Sequence, residues 1–233
     1  LYTVYTWFQE SLDIIYPDRP VSDFSYFIDI ENQEEVSRLI SAFGTGISKI
    51  EPVAVEVDKI LSTIPARVKN EITEKMEEVG KMMPELSQKS KGLPQWAALI
   101  RSPSQIFILR IDGNLEKKAF EIKFVHHEPN FLFDFSEESD GTLRLFELIE
   151  MLVSPKEKTY IIDELDRCLH PCLTYKFVET FLSRAKNRKV QLIVTSHESR
   201  LLDFNLLRRD EVWFVDKDKN GERAQRTEWH RIV

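Results

Sequence analysis

From Leu143 onward the chain alternates helix-length apolar periodicity with short, almost wholly apolar runs, and this alternation restricts the fold more than any other feature. Leu143–Val153 reads as an apolar helix, Thr159–Ile162 as a buried strand and Leu173–Ala185 as a helix. Val190–Thr195 reads as a strand, Ser199–Leu207 as a helix and Glu211–Val215 as a last strand. Short apolar strands separated by helices pair in parallel and are covered on both faces, so an α/β layer is predicted here. Ligands of such sheets bind beyond the carboxyl ends of the strands, which gives the polar residues just after each apolar run their interest.

The first half is organised differently. Val4, Trp7, Phe8, Leu12 and Ile15 recur at helical spacing and predict a helix over Tyr2–Ile15, stopping before Pro17. A second helix is expected over Asn32–Phe43, ended by Gly44-Thr45-Gly46. Val55–Lys91 is charge-rich with thin apolar periodicity and reads as a helical arm that Pro65 and Pro84 divide. Gln105–Ile111 and Lys117–Val125 flank Asp112-Gly113-Asn114, a hairpin signal because Asp-Gly supplies the positive φ of a tight turn.

Charge and composition exclude several classes. A net charge of −7 argues against a surface that attracts nucleic acid everywhere. No run approaches the roughly 18 apolar residues that span a bilayer, and LYTVYTWFQE lacks the form of a secretory signal, so a cytoplasmic chain with no membrane partner is expected. Cys168 and Cys172 stand four apart without CxxC spacing and are read as reduced thiols. The chain starts at Leu1 and is read as part of a longer polypeptide.

The sharpest chemical signal is KTYIIDELD, in which an apolar strand delivers Asp163 and Glu164 to its carboxyl end. Adjacent acids there are either a solvated pair or, in a nucleotide hydrolase, a Mg²⁺ ligand (Asp163) followed by the residue that polarises the attacking water (Glu164). His197 follows Asp163 by 34 positions, the length of a parallel crossover, so Thr195-Ser196-His197 should end the neighbouring strand. An imidazole there can donate to a γ-phosphate oxygen. Ser139, Asp140, Gly141 and Thr142 precede the Leu143 helix, where free N–H groups and the dipole form an anion site, or where Ser139 is simply a cap.

Taken in order, Ser-x-Gly at a helix start, Asp-Glu after one strand and Ser-His after the next resemble the signature, Walker B and switch histidine of ABC-type ATPases. The resemblance covers Phe131–Val215. It is nearest to bacterial AAA/ABC ATPases related to SMC, RecF and overcoming-lysogenization-defect proteins, as in the phage-defence systems Septu, PARIS and certain retrons. TWFQESLDIIYPD, AFGTGISKIE and RRDEVWFVDKDKNG are also similar to passages of these ATPases.

By this resemblance the chain has an ABC-type nucleotide-binding lobe with a mostly parallel sheet, a helical arm and a β-hairpin. Residues 1–50 would be a helical part, 51–100 the arm, and 101–233 the carboxyl-terminal lobe. Ser139, Gly141 and Thr142 would bind nucleotide, with Asp166 and His170 in the neighbouring D-loop. Asp163 would hold Mg²⁺, while Glu164 and His197 would act on ATP. ATP would join two copies, or a higher homo-oligomer, and control an effector protein, a nuclease or toxin, in anti-phage defence.

Two departures qualify the match. The signature is SDG after Glu138 rather than SGGQ, which sets the chain apart from transporters, and no GxxxxGK[ST] occurs in the sequence. Gly44–Lys49 has the wrong spacing and follows a predicted helix, so the P-loop is expected on an amino-terminal lobe outside the chain. Other readings are an SMC- or RecF-like DNA-repair ATPase, a Toprim-like nuclease using Asp216 and Asp218, and a non-catalytic assembly scaffold. The His126-His127 pair reads as surface decoration. Arg184, Lys186, Arg188 and Lys189 read as cations at a helix end rather than nucleic-acid contacts.

Overall fold

A computed structural model of the chain describes residues 2–16, 30–82, 96–102, 104–111, 116–126, 131–154 and 157–215. In chain order the elements begin with α1 (Tyr2–Glu10), β1 (Leu12–Ile15), α2 (Ile30–Ala42), β2 (Ile47–Val55), α3 (Val57–Thr63) and α4 (Ala66–Met82). Next come β3 (Trp96–Arg101), β4 (Ile106–Ile111), β5 (Lys117–His126) and β6 (Leu132–Phe133). The order closes with α5 (Asp140–Val153), β7 (Thr159–Ile162), α6 (Pro171–Ala185) and β8 (Gln191–Val194).

Among the described residues the strands form two sheets. β1, β7 and β8 lie parallel in that order, and β2, β5, β4 and β3 form an antiparallel sheet with β6 added to β5. The α/β lobe with a mostly parallel layer is therefore present, beside an antiparallel sheet that holds the predicted hairpin as β4 and β5. Asp112-Gly113-Asn114, Pro17, Pro84 and residues 83–91 of the arm lie outside the described residues.

One core joins the two sheets. Phe146, Leu148 and Ile149 of α5 and Val36 and Ile40 of α2 pack between Ile15, Tyr160 and Ile162 of the parallel sheet and Ile47, Ile108 and Phe124 of the antiparallel one. α3 and α4 cover the other face of the antiparallel sheet, where Ile60, Ile72 and Met76 meet Phe107, Leu109 and Ile111. At Pro65 the arm breaks as expected, between α3 and α4.

Four expectations are corrected. The first helix ends at Glu10, and Leu12–Ile15 is a strand because it pairs residue for residue with Thr159–Ile162. Ser199–Leu207 is a short 3-10 turn over Ser199–Leu201, after which Asp203 accepts the Asn205 N–H at 2.8 Å, a local bond that competes with helix. The expected strand Glu211–Val215 joins no ladder among the described residues: Glu211 closes a 3-10 turn, and Trp213, Phe214 and Val215 are exposed. Among the described residues the parallel sheet is covered on one face only: Ile14, Ile161 and Ile193 pair in one row across it, and the outer two are 48% and 54% exposed.

Candidate functional site

The carboxyl ends of β7 and β8 lie side by side, since Ile162 pairs with Val194 and the Thr195 N–H donates to the Ile162 carbonyl at 3.0 Å. Beyond β7 the chain stays tied to β1 for one residue, through Asp163 N–H to Ile15 O at 3.0 Å. It then crosses to β8, through Leu165 N–H to Thr195 O at 2.9 Å. Asp163 and Glu164 occupy that crossing. Glu164 has φ +50° and Cys168 φ +62°, left-handed values that cost a residue with a side chain about 1–2 kcal/mol each. The turn from Glu164 to Cys168 thus holds its shape against a local cost, as functional turns do.

Thr195 holds the two acids in register. Its hydroxyl donates to Asp163 Oδ1 at 2.6 Å and accepts the Glu164 N–H at 2.8 Å. Glu164 pairs with the exposed Arg167 at 3.7 Å, three residues on in the same turn. Asp166 reaches in the other direction: its Oδ1 accepts the Ser196 hydroxyl at 2.6 Å and the His197 N–H at 3.1 Å. Burial alone would raise the Asp166 carboxyl, but these donors outweigh it and hold the group below its ordinary value. His197 is exposed on the loop that Asp166 fixes. Thr195 and Ser196 carry these bonds though neither was among the predicted site residues, and the only signal was their position between an apolar run and His197.

A second feature meets the same turn. Ser139 caps the 14-residue helix α5, accepting the Thr142 N–H at 3.2 Å and sharing a 2.9 Å hydroxyl contact with Thr142 Oγ1. Ser139 is exposed and Thr142 buried. A Cβ on Gly141 would stand 2.8 Å from the Cys168 carbonyl oxygen, so glycine lets the first turn of α5 lie directly on the Glu164–Cys168 turn. The loop before Ser139 is anchored by His126, whose Nε2 lies 2.6 Å from Glu138 Oε1 and whose ring packs on Phe133. His126 is therefore a structural contact and not decoration.

His170 caps α6, its Nδ1 accepting the Cys172 N–H at 3.2 Å. Arg184 and Arg188 bond the Leu152 carbonyl at 3.2 Å and the Met151 carbonyl at 3.1 Å. They thus satisfy the end of α5 rather than of their own helix. Gly44 and Gly46, at φ +76° and +84°, turn α2 into β2, a helix–loop–strand order that no phosphate loop uses. Asp216, Asp218 and His127 lie outside the described residues. A cleft of about 470 Å³ opens at the other end of the parallel sheet, by Trp7, Lys158 and Lys189, away from the acids.

Among the described residues no three His, Cys, Asp or Glu side chains converge as a metal cage, and no helix is long and apolar enough to cross a membrane. A single exposed carboxylate at a strand end suits Mg²⁺, which keeps several waters and takes one or two carboxylates plus substrate phosphate. Comparison with known families matches residues 3–203 to the one described as "AAA domain, putative AbiEii toxin, Type IV TA system". No curated protein matches the chain.

Proposed function

The chain belongs to the AAA-domain family of AbiEii-toxin type, a family of ATPases, and from that membership we propose that Asp163, Glu164 and His197 act on the terminal phosphate of ATP. Glu164 takes a proton from the attacking water as the γ-phosphate bond opens, Asp166 sets the loop of His197, and His197 donates to the phosphate. Asp163 would hold Mg²⁺, which would supply charge neutralisation to the phosphates. The start of α5 in one copy, with Ser139, Gly141 and Thr142, closes over the triphosphate held by another, so ATP joins two copies and hydrolysis releases them. Asp163 and Glu164 at a paired strand end, braced by Thr195, are the observation that carries this reading.

No GxxxxGK[ST] occurs in the sequence, so the phosphates would be cradled by a loop of another form or by another part of the complete protein. In the cell the assembly cycle would gate an effector, a nuclease or toxin, in defence against phage.

The test uses the complete protein with Mg²⁺ and ATP, measuring phosphate release and size by light scattering. Glu164→Gln is expected to lower turnover by about 10²–10⁴-fold, the worth of a general base, and to accumulate ATP-bound dimers. Turnover equal to wild type removes Glu164 from the chemistry.

A further inference from the structure

The apolar side of α1 looks away from the protein. Val4, Trp7 and Phe8 stand three and four residues apart on one stripe of the helix and are 58%, 44% and 55% exposed. Of residues 4–10 only Thr6, on the opposite side, is half-buried. An amphipathic helix ordinarily does the reverse and turns its apolar stripe inward. Folding back onto its own sheet is closed to α1. Ser11 is the single residue before β1; its N–H donates to the Trp7 carbonyl at 2.8 Å and its carbonyl accepts the Thr159 N–H at 2.7 Å, which locks helix and strand head to tail.

The open face of the parallel sheet has the complementary need. Its row Ile14–Ile161–Ile193 is apolar and exposed at both ends, and parallel layers are ordinarily covered by helices. Dimensions agree: the nine residues of α1 are about 14 Å long, and three strands side by side are about 14 Å wide. Stripe and row also adjoin on one copy. Trp7 lines the cleft of about 470 Å³ with Thr159 and Gln191, each two residues before a member of the row and so on the same side of the sheet.

Charge selects the partner. Glu10 is the one charge of α1 and the row has none, which gives an anionic lipid or a polyphosphate nothing to hold. Lys158 and Lys189 at the cleft are already answered, by Asp13 at 2.6 Å and Glu157 at 3.7 Å. Two chains of net charge −7 repel one another, and least where both surfaces are neutral. With Tyr5 beside them, stripe and row expose roughly 600 Å² per copy, so two copies would bury roughly 1,200 Å², the lower limit of a specific interface.

We infer that this surface is a homodimer contact, in which the α1 stripe of each copy lies over the Ile14–Ile161–Ile193 row of the other about a two-fold axis. Each copy gives a helix and receives one. Nucleotide takes no part. An area at the lower limit corresponds to a dissociation constant of about 10–100 μM, so the face stays open at the sub-micromolar concentrations of an unfolding experiment.

Sedimentation velocity of the complete protein without nucleotide, from about 1 to about 200 μM, is the test. Wild type is expected to pass from monomer to dimer across that range. Trp7→Glu and Ile193→Lys each put a charge into the contact and should stay monomeric throughout, with melting temperatures at about 1 μM within about 2 °C of wild type because both positions are exposed. Their equimolar mixture should associate again, since glutamate meets lysine in one half of the contact and the other half is wild type.

A wild-type monomer at every concentration, as when another part of the complete protein or a different protein covers the face, overturns the inference. So does a dimer that Trp7→Glu leaves intact, or one that forms only with ATP. A mixture that stays monomeric would mean that stripe does not meet row, and overturns it too. None of these results touches the role of Glu164, which phosphate release measures separately.

Discussion

In β4, Ile106 and Ile108 face the main core while Phe107, Leu109 and Ile111 face α3 and α4, so the antiparallel sheet is buried on both sides. In the parallel sheet Ile15, Tyr160 and Ile162 face the core, but the row Ile14–Ile161–Ile193 looks outward. Pairing class ordinarily predicts the reverse, with parallel strands buried and antiparallel ones wetted on one side. The difference divides labour: the doubly covered sheet supplies stability, while four-residue strands with one open face carry the acids. The acids proposed to act on ATP thus stand at the ends of the strands whose outer row is exposed.

The largest effect that would break this contrast is a core truncation. Leu109→Ala should cost about 3–4 kcal/mol in denaturant unfolding, and Ile193→Thr under about 0.5. Similar costs at the two positions would mean that the parallel sheet is covered after all. Gly141→Ala comes next, because its methyl must displace the Cys168 carbonyl. A loss of about 2 kcal/mol is expected, together with loss of ATP-dependent dimers in the complete protein.

Thr195→Val removes the hydroxyl bonds to Asp163 Oδ1 and the Glu164 N–H, and should cost about 1 kcal/mol and reduce turnover more than it reduces stability. A variant that turns over normally would show that the brace is structural only. The smallest effect is pH-dependent. Because the folded Asp166 carboxyl lies below its unfolded value, its contribution is complete above the ordinary Asp range, near pH 4, and is lost as pH falls through the lowered folded value. Asp166→Ala should therefore be less stable than wild type by about 1 kcal/mol at neutral pH, and the gap in unfolding free energy should close in acid.

Legibility in the sequence followed the same division. The strand Thr159–Ile162 was readable because a short, almost wholly apolar run between two helices suits a parallel sheet, and the crossover length to His197 fixed the neighbouring strand. β1 was not readable: Leu12-Asp13-Ile14-Ile15 suits helix or strand equally, and only pairing with residues far along the chain decides. The Glu211–Val215 strand failed for the same reason, since propensity forms no ladder without a neighbour and none pairs with it among the described residues. The bonds of Thr195, Asp166 and His126 depend on three-dimensional approach and leave no spacing to read. Arg184 and Arg188 were legible as cations near carbonyls, but which helix they served was not.

The bare α-carbon at position 141 makes a joint one atom wide between α5 and the carbonyl of Cys168. Cys168 is four residues past Glu164, and both hold left-handed φ values, so the helix start rests on the same strained turn that carries the acids. Any substituent there would push the two turns apart, so the smallest of side chains sets the spacing between them.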